Sequence, residues 1–349
     1  MKVHQCSICD HAVHFQNTRC VRCDSDLAFD PTTLSMCVPD SPICRNGTEH
    51  QACNWLASDQ SNGGFCLSCA LNRTIPNLSD TNNLSLWKTI QHEKHYLVYS
   101  LLRFRLPVIS QKEVETGLAF DFLDANSNTS GTAVRTGHAA GIITLDIREA
   151  DDAYRENARQ QMKEPYRTLL GHFRHESAHY YWDLLVKDTQ WIGKVRDVFG
   201  DEREDYSQSL DHHYKEGPPQ GWESLYISAY ASAHPWEDWA ETWAHYFHIV
   251  DTLESACELG LSLDPETGRS LATPSSSALD PYQCQSMDEL LAQWLPISVG
   301  LNMLNRSLGQ GDAYPFVLSD SIIRKLFTVH AIVSENAESN DPLSMSHHH

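Results

Sequence analysis

Nine of the eleven cysteines in this chain fall before residue 70, and their spacing constrains that stretch more tightly than any other feature. Cys6-Ser-Ile-Cys9 and Cys20-Val-Arg-Cys23 make two knuckles separated by ten residues. Four thiolates at this spacing satisfy tetrahedral zinc, and the metal replaces a core that so short a segment cannot build. Phe15, between the knuckles, is available as a small hydrophobic plug. A second set is looser: Cys44, Cys53 and the knuckle Cys66-Leu-Ser-Cys69, with Cys37 left over. Cys44 and Cys53 are chosen over Cys37 because they bracket Gly47 and the Asn54-Trp55 turn more compactly. The expectation is a zinc-ribbon module over residues 1–73 with one or two structural zinc sites. The alternative to the second site is a group of buried free thiols, the state expected of Cys257 and Cys284.

The chain has 349 residues, 41% of them hydrophobic, which is enough for a small module and a larger domain with a full core. Its formal charge of −20 would repel a polyphosphate backbone, so no nucleic-acid partner is expected and the ribbon is read as a scaffold or protein contact. No charged start followed by an apolar run of signal length is present, and no apolar run approaches the roughly 20 residues of a membrane span. A soluble cytoplasmic protein without a membrane partner is the expectation. His347-His348-His349 reads as a tag remnant closing a tail over 341–349.

Residues 74–86 are rich in turn and capping residues and read as a linker. From Trp87 to about Leu106 the apolar positions keep a helical rhythm. Gly117-Leu-Ala-Phe-Asp-Phe-Leu and Gly141-Ile-Ile-Thr-Leu-Asp-Ile read as strands. Beyond residue 150 the chain turns helical, with loop-rich inserts at Gly217-Pro-Pro-Gln-Gly221 and from about Pro265 to Ser277. From Leu290 to about Val333, Leu291, Trp294, Leu295, Val299, Met303 and Leu304, then Ile322, Leu326 and Val329, are read as the faces of core-forming helices that cover the catalytic helices and carry no chemistry of their own. Strands followed by a run of helices make an α+β domain over 87–340.

One stretch names a chemistry. His175-Glu176-Ser177-Ala178-His179 lies in an apolar-periodic segment, and the spacing predicts a helix from about 165 to 187 with Pro165 in its first turn. Histidines four residues apart share one helix face and can share a zinc ion, with Glu176 directed at the water the metal activates. A catalytic zinc usually takes three protein ligands. A histidine six residues after His179 would be one solution, but that position is Leu185. The better source is His234-Pro-Trp-Glu-Asp-Trp-Ala-Glu-Thr-Trp-Ala-His245, where Pro235 opens a helix with Glu237, Glu241 and His245 on one face and Trp236, Trp239 and Trp243 on another. Glu237 is read as the third ligand and Glu241 as the acceptor that orients a ligand histidine, with Asp238 and Glu241 as alternative ligands. The bland alternative is a solvated polar face.

The pair His175-Glu-Ser-Ala-His179 and Glu237-Asp-Trp-Ala-Glu241 resembles the gluzincin class of metallopeptidases, whose third ligand is the first glutamate of such a helix. More closely, the chain is similar to a bacterial family of zinc-binding metallopeptidases that join an N-terminal ribbon to a zincin-like domain. The resemblance runs through Cys53-Asn-Trp, Cys66-Leu-Ser-Cys69, Asn72-Arg-Thr-Ile-Pro76, Arg174 to Trp182, Phe199-Gly-Asp-Glu-Arg203, Ser228 to Glu241 and Tyr314-Pro-Phe-Val-Leu318. It implies a small sheet, an active-site helix and a mainly helical C-terminal part, and a peptide or protein substrate of unknown identity. It also implies one catalytic zinc on His175, His179 and Glu237, with Glu176 as general base. Tyr230, seven residues before Glu237, or a histidine of Asp211-His212-His213-Tyr214, is the candidate for stabilising the oxyanion. Ala178 stands where glycine is frequent, and the strand from Gly141 to Ile147 is expected to offer its edge to an extended peptide. The competing readings are a catalytically inactive, zinc-stabilised interaction module and a hydrolase of a non-protein amide or ester.

Overall fold

In the computed structural model the cysteine-rich start is a pair of small hairpins and two short helices. It describes residues 1–58, 63–125, 136–162, 168–261 and 280–339. Strand β1 (His4–Gln5) pairs antiparallel with β2 (Ala12–Val13), and β3 (Ala28–Asp30) with β4 (Ser35–Cys37). Helices α1 (Arg45–His50) and α2 (Leu67–Ala70) each begin one residue after a cysteine, Cys44 and Cys66. Gly47 in α1 is fixed by crowding, since a Cβ there would sit 2.2 Å from the Cys53 carbonyl oxygen. The plug expected at Phe15 is buried against Phe29 and Trp55, and reaches Tyr96 and Tyr99 of the next helix.

That helix, α3 (Thr81–Arg103), is capped by Asp80, whose carboxylate accepts from the amides of Asn82 and Asn83. It starts six residues earlier than the apolar rhythm suggested. The stretch expected as a linker, 74–86, therefore holds the first turn and a half of α3, and Thr74 closes strand β5 (Asn72–Thr74). This strand runs parallel to β6 (Ala119–Leu123) in a four-stranded sheet of order β5-β6-β8-β7, completed by β8 (Ile142–Asp146) and β7 (Gly137–Ala139). Ribbon and larger domain thus share a sheet. β6 and β8 are parallel, and β7 folds back antiparallel on β8 through a turn at Ala140 and Gly141, both at positive φ. The strand read as an exposed edge is therefore interior; β7 covers it and, among the described residues, is the edge strand.

One face of the sheet meets helix α5 (Leu169–Leu185), with Phe120 and Phe122 packed on Phe173. Helices α4 (Asp152–Met162), α6 (Trp191–Phe199) and α7 (Tyr206–Glu216) precede the long α8 (Pro235–Glu258), followed by α9 (Met287–Ser307) and α10 (Asp320–Ser339). α5 and α8 form the centre: Tyr181, Trp182, Trp239, Trp243 and Phe247 stack between them, and Trp239 Nε1 donates to the Ala178 carbonyl at 2.9 Å. A small residue at 178 permits that approach. In α9 only part of the expected core face is inside. Leu291 and Trp294 are buried, whereas Leu295, Val299, Met303 and Leu304 are 49–63% exposed, because α9 lies at the rim with a single side against α8 and α10. Among the described residues no helix is long and apolar enough to cross a membrane. Pro165, the insert at 265–277 and the tail over 341–349 lie outside the described residues.

Candidate metal centres and active site

Thr168 caps α5 by accepting from the Gly171 amide at 2.9 Å, and the helix carries His175, Glu176 and His179 into the buried contact with α8. Opposite them α8 starts at Pro235, with the His234 side chain accepting from the Trp236 amide, so Glu237 occupies the first turn. Glu237 Oε2 lies 2.9 Å from His175 Nε2 and 3.8 Å from His179 Nε2. Ligand atoms 2.0–2.1 Å from a tetrahedral zinc are about 3.3 Å apart, so this donor set fits the ion. His175 Nδ1 is 2.7 Å from Glu241 Oε1, and the Ser228 hydroxyl donates to Glu241 Oε2 at 2.6 Å. The Tyr206 hydroxyl donates to Glu237 Oε1 at 2.6 Å, leaving Oε2 for a metal. Trp236 covers the His179 ring at 4.0 Å, while His179 Nδ1 and Glu176 Oε2 are buried and have no hydrogen-bond partner among the described residues.

The electrostatics follow from this packing. Burial would lower the His175 pKa, but Glu237 and Glu241 on its two nitrogens raise it well above the usual value. The two carboxylates thus favour a protonated His175 ring, with Nε2 facing Glu237 Oε2. His179 is held at about 4 by burial, which outweighs Glu237. Burial pushes Glu237 up, yet His179, His175 and Tyr206 hold it at about 2, ionised and ready to ligate.

The alternative ligands point elsewhere. Asp238 is fully buried and pairs with Lys325 of α10 at 2.6 Å, and Glu241 is taken by His175. His245, on the same face, is bonded to the Tyr314 hydroxyl at 2.9 Å. Tyr230 lies in a short 3-10 turn with its ring 5.9 Å from that of His175, and burial raises its hydroxyl pKa. His213 stacks edge-on against Tyr230 at 6.1 Å, and His212 is exposed.

The two cysteine sets also converge. The sulfurs of Cys6, Cys9, Cys20 and Cys23 lie within 4.8 Å of one another, as do those of Cys44, Cys53, Cys66 and Cys69. The separations of 3.6 Å for Cys6–Cys23 and 3.7 Å for Cys9–Cys20 and Cys53–Cys66 match the roughly 3.8 Å edge of a zinc tetrathiolate with 2.3 Å bonds. Cys37 stays outside, its thiol 3.5 Å from the Ala28 carbonyl.

The sequence profile of the family described as "Putative zinc-binding metallo-peptidase" matches residues 83–332. The chain belongs to this family. A zinc-ribbon domain profile matches residues 3–80, so the chain carries a ribbon ahead of the zinc-binding domain. Uncharacterized proteins of Mycobacterium tuberculosis and of Mycobacterium bovis are 40% identical to it, over 98% of each chain. No solved structure matches. Within this family member, three site neighbours escaped the sequence reading. Tyr206 has no local signal, because only the fold of α7 against the turn at Tyr230–Ala233 brings it to Glu237. Ser228 is equally silent. His172 was readable in retrospect, four residues before Glu176 on the same helix.

Proposed function

We propose that the chain is a zinc-dependent metallopeptidase of gluzincin type, with a zincin-like domain built on α5, α8 and the four-stranded sheet. The observation that carries this reading is the convergence of His175 Nε2, His179 and Glu237 Oε2 beside Glu176, whose Oε2 is buried with no bond to satisfy it. Binding metal alone does not need that glutamate. His175, His179 and Glu237 would hold a zinc ion, which would supply the Lewis acidity that polarises a scissile carbonyl and acidifies water. Glu176 accepts the water's proton and returns it to the leaving amine. Glu241 and Ser228 fix the His175 ring, and Tyr206 fixes which oxygen Glu237 presents. Tyr230, a phenol that burial keeps in its protonated form well beyond neutral pH, would donate to the developing oxyanion. The substrate would be a peptide or protein whose extended backbone adds to the outer side of β7, the edge strand among the described residues, where His138 stands 6.3 Å from the His179 ring.

The test is Glu176→Gln assayed on a peptide library. The variant should bind as much zinc as the wild type and cleave at least about 100-fold more slowly. Equal turnover in the two proteins would remove Glu176 from the chemistry.

A further inference from the structure

His172 lies one turn before Glu176 on α5, between two carboxylates. Its Nε2 is 3.2 Å from Glu176 Oε1 and its Nδ1 is 2.6 Å from Glu149 Oε2. Glu149 is buried in the 3-10 turn Ile147–Ala150 after β8, where Arg155 donates to its backbone carbonyl at 2.6 Å. Its second carboxylate oxygen accepts from the Thr136 hydroxyl. Thr136, Glu149, His172 and Glu176 therefore form a continuous chain from the sheet to the active-site helix. It ends on Oε1 of Glu176 and leaves Oε2 without a partner.

We propose that His172, held by Glu149, is the positioning residue of Glu176: a donated N–H occupies Oε1, so that Oε2 is the one oxygen free to take a proton. This rests on the reading of Glu176 as the general base. An ionised carboxylate only accepts, so an imidazole between two of them donates from both nitrogens and is charged. Burial opposes that charge, and the two carboxylates overcome it, raising His172 to about 9. A donor 3.2 Å from Oε1 commits that oxygen to His172. It also fixes the rotamer of a side chain whose work depends on hydrogen-bond reach.

The experiment uses the full zinc-loaded chain with nitrogen-15 histidine, His172 being assigned by the signal lost in His172→Gln. At neutral pH the His172 ring should be doubly protonated, and Glu149→Gln should return it to a singly protonated ring. A singly protonated ring in the wild type overturns the proposal. On a library peptide that the wild type cleaves, His172→Leu should lower kcat by roughly 10- to 100-fold with KM and zinc content unchanged. His172→Gln, which keeps an N–H donor, should recover most of that loss. A Leu variant at wild-type kcat, or a Gln variant no faster than the Leu variant, also overturns it. Should the wild type cleave nothing, the reading of Glu176 as a base falls, while the ring measurement still decides how His172 is held.

Discussion

At the scale of single residues, a proton and the proposed zinc would compete for His175. Glu241 and Glu237 stabilise the imidazolium together, but with zinc on Nε2 only Glu241 still acts through hydrogen, orienting the ring and strengthening it as a donor. Glu241→Gln should therefore weaken zinc binding at this site by about 10- to 100-fold without touching the cysteine sites, a difference that competition with a chromophoric chelator resolves. His172 carries a separate pH signature in the metal-free chain. Its pKa is raised from 6.5 to about 9, so the stability it contributes is fully present below about 6.5 and is lost as pH rises through about 9. The contribution is of order 3 kcal/mol, given a side chain that is 16% exposed. Urea midpoints of the metal-free wild type should fall as pH rises through that window, and those of His172→Gln should fall less steeply, the remaining slope coming from His175, whose pKa is raised in the same direction.

At the scale of elements, α8 is held from its far side by the buried pair Asp238–Lys325, one residue from Glu237. Lys325 Nζ also donates to the Leu225 carbonyl at 2.6 Å and lies 4.4 Å from the Tyr226 ring. Burial dominates at Asp238, raising its pKa to about 7 despite Lys325. Lys325→Met strands that carboxylate and should cost about 3–5 kcal/mol in chemical denaturation, most of it recovered in Asp238→Asn/Lys325→Met. The sequence showed these elements unevenly. α5 was legible because a sustained apolar period marks it, although it starts at Leu169 after the Thr168 cap and not near 165, and α8 because Pro235 opens a helix with distinct carboxylate and tryptophan faces. Strand β5 was not: Asn72-Arg-Thr is polar, and pairing with β6, not periodicity, makes it a strand. α9 misled because it is apolar on two sides, and only its seat against α8 decides which is inside. Tyr206 and Lys325 reach α8 through tertiary placement that no local pattern encodes.

At the scale of the whole molecule, ribbon and larger domain are joined by α3, which faces both. His95 Nε2 lies 3.4 Å from Cys53 Sγ and 3.8 Å from Cys69 Sγ, Lys94 donates to the Ser68 carbonyl and to Asn72, and the other side of α3 packs on α5. Elemental analysis should find three zinc ions per chain. Cys66→Ser should lose one of them together with several kcal/mol of stability, lowering the thermal midpoint of the larger domain as well as the ribbon. The four sulfurs beneath α3 belong to residues at most 7% exposed, which bears on how the protein is made rather than how it works. With α3 docked over them the sulfurs are screened from solvent, so the expectation is that zinc bound here is captured while the chain is still folding. Dilution from denaturant into zinc-containing buffer should give active-like, cooperative molecules, whereas zinc added after refolding in chelator should arrive too late for most of them.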